Sequence, residues 1–399
     1  MLHLLALDPL FSHGLDLGVV LIVIVKTIVT FAVLMVAVLF MVWYERKLVS
    51  DLQNRIGPAR AGGRFGILQS LADGIKLFFK EDLLPDRADK RIFRLAPYLS
   101  AVPAFLSFAI VPVGGEITIA HHTTYLQLAD PPVGILFLLA MSGISVYGVM
   151  LAGWSSGSKY PLLGSVRASA QMVSYEAALG LSIAAVVVLS GTLSTRGIAL
   201  NQAGHGPGGF LPGWNLIRLG LVPFIIFLIA ATAELNRPPF DLVEAEQELV
   251  GGFHTEYSSI RFALFFLAEF MNVITMSAII VTLFFGGLAG PLLFGPDFIW
   301  PLFWFFLKLT IFMYMFVWFR ATLPRFRYDQ LMDLGWKGLI PLSLGWMLML
   351  SAVKISGAEG WNPVAVVAIS GIAIVACGAV LRVAVHTGAD RRRLGELEG

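Results

Sequence analysis

Between Ala233 and Ser259 the chain reads AELNRPPFDLVEAEQELVGGFHTEYSS and carries six carboxylates, Glu234, Asp241, Glu244, Glu246, Glu248 and Glu256, against one basic residue, Arg237. Only 14% of the whole chain is charged, so this density is local. Pro238 and Pro239 suit the first turn of a helix, where a missing N–H costs nothing, and Asp241 would then lie near the positive end of the helix dipole. Asp241, Glu244 and Glu248 follow at i, i+3 and i+7 and would share one face. Carboxylates crowded in this way hold protons nearer neutral pH and titrate as a coupled set, which is what a proton relay requires. The plainer reading of the same letters is a solvated acidic loop.

Two more acids lie inside apolar runs, Glu176 in AQMVSYEAALG and Glu269 in FFLAEFMN. A carboxylate at that depth must be neutral, paired or beside water, and marks either a proton path or a structural hydrogen bond. Glu234 closes another apolar run and would join these acids to the loop cluster. Lys26 and Lys308 are weaker signals, because a lysine can snorkel to the surface. Arg320 to Lys337, RATLPRFRYDQLMDLGWK, alternates Arg325 and Arg327 around Phe326, a pattern that suits a docked protein, an anionic headgroup or simple anchoring.

Apolar runs must hold these groups in place. With 399 residues, 57% of them hydrophobic, and a mean hydropathy of +0.80, the chain reads as all-α, a polytopic membrane helix bundle forming a single membrane domain over 1–399. Hydropathy predicts about nine transmembrane helices, at 18–43, 95–113, 133–153, 166–190, 217–233, 261–286, 300–319, 337–354 and 363–381. Of the 28 Lys and Arg, 23 fall in alternate connections and the tail from Arg382, and three in or beside the opposite loops. That bias predicts an outside N-terminus, with loops 44–94 and 234–261 and the basic tail 382–399 in the cytoplasm. In the first of these loops Leu68, Leu71, Ile75 and Phe78 share one helical face, and Gln69, Asp73, Lys76 and Lys80 another. This predicts an amphipathic helix over 63–80 along the membrane surface. The opposite loops, including GHGPGG, read as connectors.

The single Cys377 excludes a disulfide framework and any Cys-built metal or iron–sulfur site, the seven His all fall in loops or tails, and no dinucleotide fingerprint is present. The basic residues are too dispersed for nucleic acid. No metal, flavin, haem or cluster is expected on this chain, and alone it should catalyse nothing.

Four motifs in fixed order then resemble a known family. They are ERK with QNRIGP and DGIKLFFKE; GWSSGSKYPLLGSVRASAQMVSYE; AELNRPPFDLVEAEQELVGGFHTEYS with FFLAEF; and PRFRYDQLMDLGWK. Together they span Glu45 to Lys337. The chain is similar to the family of H subunits of bacterial respiratory complex I, the proton-pumping NADH:quinone oxidoreductase, whose mitochondrial counterpart is subunit 1. Departures are small. Leu235 stands where Thr is common, Gly157 where Asn is common and Gln247 where Ser is common; the family often has eight spans, and 363–381 lies beyond the match.

The resemblance implies a component of the bacterial plasma membrane that forms much of a quinone chamber and links quinone reduction to proton translocation. Ubiquinone or menaquinone would be bound as substrate. Carried over by motif, the relay comprises Glu176, Glu234, Asp241, Glu244, Glu246, Glu248 and Glu269. Glu45, Arg46, Arg55, Asp73, Arg237, Phe253 and Arg325 would border the chamber, with helix 63–80 beside its portal. The implied partners are the hydrophilic quinone-reducing arm, small membrane subunits, antiporter-like subunits and lipid. Two other readings remain open on sequence alone: the equivalent subunit of a membrane-bound hydrogenase or other quinone-linked dehydrogenase, distinguishable by neighbouring genes, and a stand-alone ion-coupled transporter, which would call for inverted repeats not found here.

Overall fold

A computed structural model of the chain describes residues 8–11, 16–119, 122–204, 213–242, 249–291, 298–362 and 364–380. Its helices are α1 (Leu17–Leu52), α2 (Gln69–Phe79), α3 (Lys90–Phe108), α4 (Gly134–Ser155), α5 (Lys159–Ser190), α6 (Thr195–Asn201), α7 (Asn215–Arg218), α8 (Leu221–Glu234), α9 (Ser259–Phe284), α10 (Ile299–Thr322), α11 (Tyr328–Asp333), α12 (Ile340–Glu359) and α13 (Val364–Val380). A π-helical stretch, Leu334–Leu339, joins α11 to α12. Each of the nine expected spans coincides with a helix, and among the described residues six are long and apolar enough to cross a membrane. The others are α3, with its charged first turns, and the shorter α8 and α13. One loop expected to be a plain connector forms a two-stranded antiparallel hairpin, Glu116–Ile119 with His122–Tyr125.

Burial ranks the helices. In α9 72% of the apolar window is buried, in α1 only 17%, so α9 is the central post and α1 an exposed outer wall. Helix α3 packs between α4 and α9, and α5 between α4 and α8. Small residues permit the closest approach: a Cβ on Gly148 of α4 would come within 2.7 Å of the Ser100 backbone nitrogen on α3.

Two lengths set the stage for the site. At 36 residues α1 is about 54 Å long, well over the ~30 Å hydrocarbon thickness, so one end projects beyond the membrane. Helix α8, at 14 residues, is only about 21 Å long and stops short. The chain after it turns back inside the protein, with Leu235, Arg237, Phe240 and Asp241 all buried. Non-helical backbone at that depth must find protein partners. Gln171 of α5 supplies them, donating from Nε2 to the carbonyls of Ala233 (2.8 Å) and Phe240 (2.9 Å) and to Asn236 Oδ1 (3.2 Å). The Phe326 N–H adds a bond to the Pro239 carbonyl at 3.0 Å.

Two local expectations change. Pro238 and Pro239 lie in this turn rather than in the first turn of a helix. A proline disfavours helical backbone at the residue before it, and Asn236 takes a left-handed conformation (φ 51). Glu244 and Glu248, the remainder of that expected face, and Glu246 beside them lie outside the described residues. The surface helix spans 69–79, not 63–80, because Gly62 (φ 85), Gly63 and Gly66 (φ 64) take left-handed conformations around a 3-10 turn at Gly63–Phe65. A Cβ at Gly66 would meet the Pro58 carbonyl oxygen at 2.1 Å. Leu68, Leu71, Ile75 and Phe78, the expected apolar face, are exposed.

Helix α3 carries Pro97, which cannot donate to the Phe93 carbonyl one turn back. Tyr257, before α9, donates its hydroxyl there at 3.2 Å and stacks on the Phe93 ring at 4.0 Å. Burial pushes the Tyr257 phenol up to about 12, so it remains a neutral donor. Replacing Tyr257 by Phe should therefore leave a buried carbonyl unpaired, cost about 1–2 kcal/mol and lower the thermal midpoint of the purified assembly. An unchanged midpoint would mean the phenol does not stabilise α3.

Candidate functional site

Four charged side chains from four parts of the chain meet at the projecting end of α1. Glu45 of α1 is buried, and its two oxygens take two different arginines. Arg237 Nη1, from the turn after α8, donates to Oε2 at 2.8 Å. Arg320 Nη1, from the last turn of α10, donates to Oε1. Arg237 in turn holds Glu269 of α9, Nε to Oε1, at 3.0 Å, and its guanidinium lies 4.8 Å from the centre of the Phe270 ring. The order is Arg320, Glu45, Arg237, Glu269. Two cations alternate with two anions, which is how charge becomes tolerable where Glu45 and Arg237 are 6% and 4% exposed.

The ladder separates two spaces. On one side is a polar vestibule of about 460 Å³, lined by Glu45, Arg46, Arg55, Gln69 and Arg320 among others. On the other is an inner cavity of about 100 Å³ shared by Glu269, Glu234, Asn272, Ser100, Ser145 and Phe253. A smaller cavity of about 20 Å³ continues past Glu234 toward Ser107, Ser142 and Thr275. Glu45 thus faces the vestibule, Glu269 faces the interior, and Arg237 lies between them. Glu234 accepts a hydrogen bond from Ser142 Oγ on Oε1, while its buried Oε2 has no hydrogen-bond partner among the described residues. The inner cavity has room for water to serve it.

Other expected residues fall nearby in pairs. Arg46 binds Asp73, tying α1 to α2. Arg325 binds the buried Asp241 at 2.9 Å and so clamps the turn against the α10–α11 connection. Phe253 packs edge-on against Phe265 at the wall of the inner cavity. Arg55 faces the vestibule and donates to Gln53 at 2.6 Å. Glu176 is half-buried and lies apart from both cavities, 3.5 Å from where a Cβ on Gly143 would stand, on the α4–α5 side. Lys26 and Lys308 belong elsewhere. Lys26 pairs with Asp8 and Thr124 at 2.9 Å each, while Lys308 Nζ donates to the carbonyls of Phe285, Gly287 and Ala289 just past the end of α9. A cation suits that helix end.

Arg320, Gln171 and Asn272 escape a reading that looks for acids. A usable signal exists for the last. Glu269, Asn272 and Thr275 recur at i, i+3 and i+6 on α9, and Ser142 and Ser145 at i, i+3 on α4, so polar stripes at helical spacing line the inner cavities. Among the described residues no group of three or more metal-binding side chains occurs.

Residues 25–351 match the NADH dehydrogenase family. The NADH-quinone oxidoreductase H subunit of Frankia alni is 54% identical over 338 residues, covering 84% of this chain and 73% of that protein. Its namesake from Frankia casuarinae is 51% identical over 359 residues, covering 89% and 75%. Another, from Cutibacterium acnes, is 48% identical over 372 residues, covering 89% and 83%.

The alternation of charges makes a double-mutant test decisive. Arg237→Met leaves Glu45 with Arg320 alone and takes a cation from Glu269, and should destabilise the chain by about 3–5 kcal/mol, read as loss of assembled complex from membranes. Adding Glu45→Gln lowers the excess of buried negative charge and should restore part of the assembly. Additive losses in the double variant would show that the two side chains do not act as a pair.

Proposed function

The chain belongs to the NADH dehydrogenase family as an H subunit of NADH-quinone oxidoreductase, complex I, and from that premise we propose that its charge ladder couples quinone chemistry in the vestibule to protons in the inner cavity. The observation that carries this reading is the position of Arg237, shared between Glu45 on the vestibule and Glu269 on the interior.

Quinone reduction takes two electrons and two protons, and the electrons come from other subunits. A quinone headgroup in the vestibule would meet Arg46, Arg55 and Arg320, cations suited to the negative charge that develops as electrons arrive. The exposed apolar face of α2 would flank its portal, leaving the tail in lipid. Negative charge beside Arg320 competes with Glu45 for that guanidinium. Glu45 then draws more strongly on Arg237, and Arg237 loosens from Glu269. A carboxylate deprived of its cation in a low-dielectric site is costly, and proton uptake at Glu269 restores the balance. Water in the inner cavity then carries protons between Glu269 and Glu234, and the α4–α5 side passes the imbalance to Glu176. Asp241, Glu244, Glu246 and Glu248 form the loop end of the same relay, with Asp241 held by Arg325, and Asp73 holds Arg46 in place at the vestibule.

The vestibule side faces the cytoplasm and the hydrophilic arm in this reading, with the N-terminus outside and the antiporter-like subunits reached through Glu176. The chain supplies the chamber wall and the relay but no redox centre, and quinone is its bound substrate.

Glu234→Gln keeps the shape of the inner cavity and removes the exchangeable proton. In vesicles it should lower proton translocation by about tenfold, equivalent to about 1.4 kcal/mol. Glu248→Gln should act in the same direction. Wild-type translocation and quinone reductase activity in both variants would remove the relay reading. Arg320→Gln should instead lower quinone reduction first, since it acts on the vestibule side.

A further inference from the structure

The vestibule and inner cavity leave unexplained a larger hollow elsewhere. Helix α13 lies beyond residues 25–351, which match the family model, and between it and α12 runs a crevice of about 630 Å³. Its walls are small or apolar: Gly338, Gly345 and Ala352 on one side, Ala373, Cys377 and Gly378 on the other. Among the described residues no carboxylate lines it. The two helices come close at one level, where a Cβ on Gly345 would stand 3.2 Å from Ile374, and small side chains keep the rest open.

The crevice has a polar end. Lys337 stands at one mouth. Lys337 pairs with Asp333 at 2.7 Å, but both side chains are about half exposed or more, at 48% and 61%. An i, i+4 pair at such a surface contributes about 0.3–0.5 kcal/mol and gives way readily to a phosphate.

We propose that this crevice binds one anionic phospholipid, with an acyl chain along α12 and α13 and its phosphate on Lys337. Size decides against a partner helix: a 20-residue helix fills roughly 2,400 Å³, several times the space available. From Lys337 to Ala352 the groove is about 22 Å long, longer than one leaflet's half of the ~30 Å hydrocarbon core, so an extended acyl chain that enters at Lys337 follows it past the midplane. Charge selects the headgroup. Lys337 is the one charged side chain among the described lining residues, and its ammonium, once turned from the exposed Asp333, favours an anion over a zwitterion or a neutral quinone. The lipid would fill the seam between α12 and α13.

The test uses the whole complex in phosphatidylcholine vesicles doped with phosphatidylglycerol that carries a photoactivatable group at the end of one acyl chain. After illumination, the cross-linked peptides are mapped by mass spectrometry. Labelling is expected at Leu348 to Ala352 and Ser370 to Ile374, competed by unlabelled phosphatidylglycerol and not by additional phosphatidylcholine. Lys337→Gln, at an exposed position, should reduce it about fivefold, the equivalent of about 1 kcal/mol for one surface cation, with quinone reductase activity unchanged. Ala352→Phe should abolish it by filling the groove. Absence of label from α12 and α13, equal competition by phosphatidylcholine, displacement by a long-chain quinone or full labelling of Lys337→Gln would each overturn the proposal.

Discussion

A guanidinium almost wholly withdrawn from solvent, with a carboxylate on either side, is the constraint around which the rest of the chain is arranged. Taking one such charge out of water costs several kcal/mol, and only close, well-aligned counter-charges offset it. Hence Glu45 comes from the projecting end of α1, Glu269 from the most buried helix, and Arg237 from a turn that begins where α8 stops early. Each element is the length it must be to deliver its group to one point. The turn is irregular backbone inside the protein, so Gln171, Asn236, the Phe326 N–H and the Arg325–Asp241 pair hold it in place.

The same constraint explains what lies outside the ladder. On the opposite face, charges are tied into local knots that touch neither cavity: Lys26 with Asp8 and Thr124, Ser194 with Asp130, and Lys308 with three carbonyls. These satisfy loop and helix ends. A linked row of charges separates two cavities, whereas the isolated knots lie at helix termini and loops.

Much of this is legible in the amino-acid sequence. Hydropathy locates the long apolar helices because lipid leaves a spanning segment no other way to satisfy its backbone. Glu176, Glu234 and Glu269 stand out because an acid in an apolar run has few harmless explanations. The pairings are less visible. Arg320 lies 275 residues from Glu45, and nothing in either local sequence joins them. Pro238 and Pro239 sit in a turn because the proline rule for a first turn says where a helix tolerates proline, not that one begins there. The surface helix loses its first turns to glycines 62, 63 and 66, whose left-handed backbone outweighs a good apolar stripe. Asn272 is legible at i+3 from Glu269 once polar residues are read in stripes as apolar ones are.

The surface helix α2 is fastened on both flanks. Arg46 holds it to α1, while Ser259, the first residue of α9, donates its hydroxyl toward the carbonyls of Leu77 and Lys80, and Arg261 grips Asp82. Ten residues further along α9 stands Glu269. A displacement of α2 therefore cannot be absorbed by that helix alone; it pulls on the helix that carries the innermost acid of the ladder.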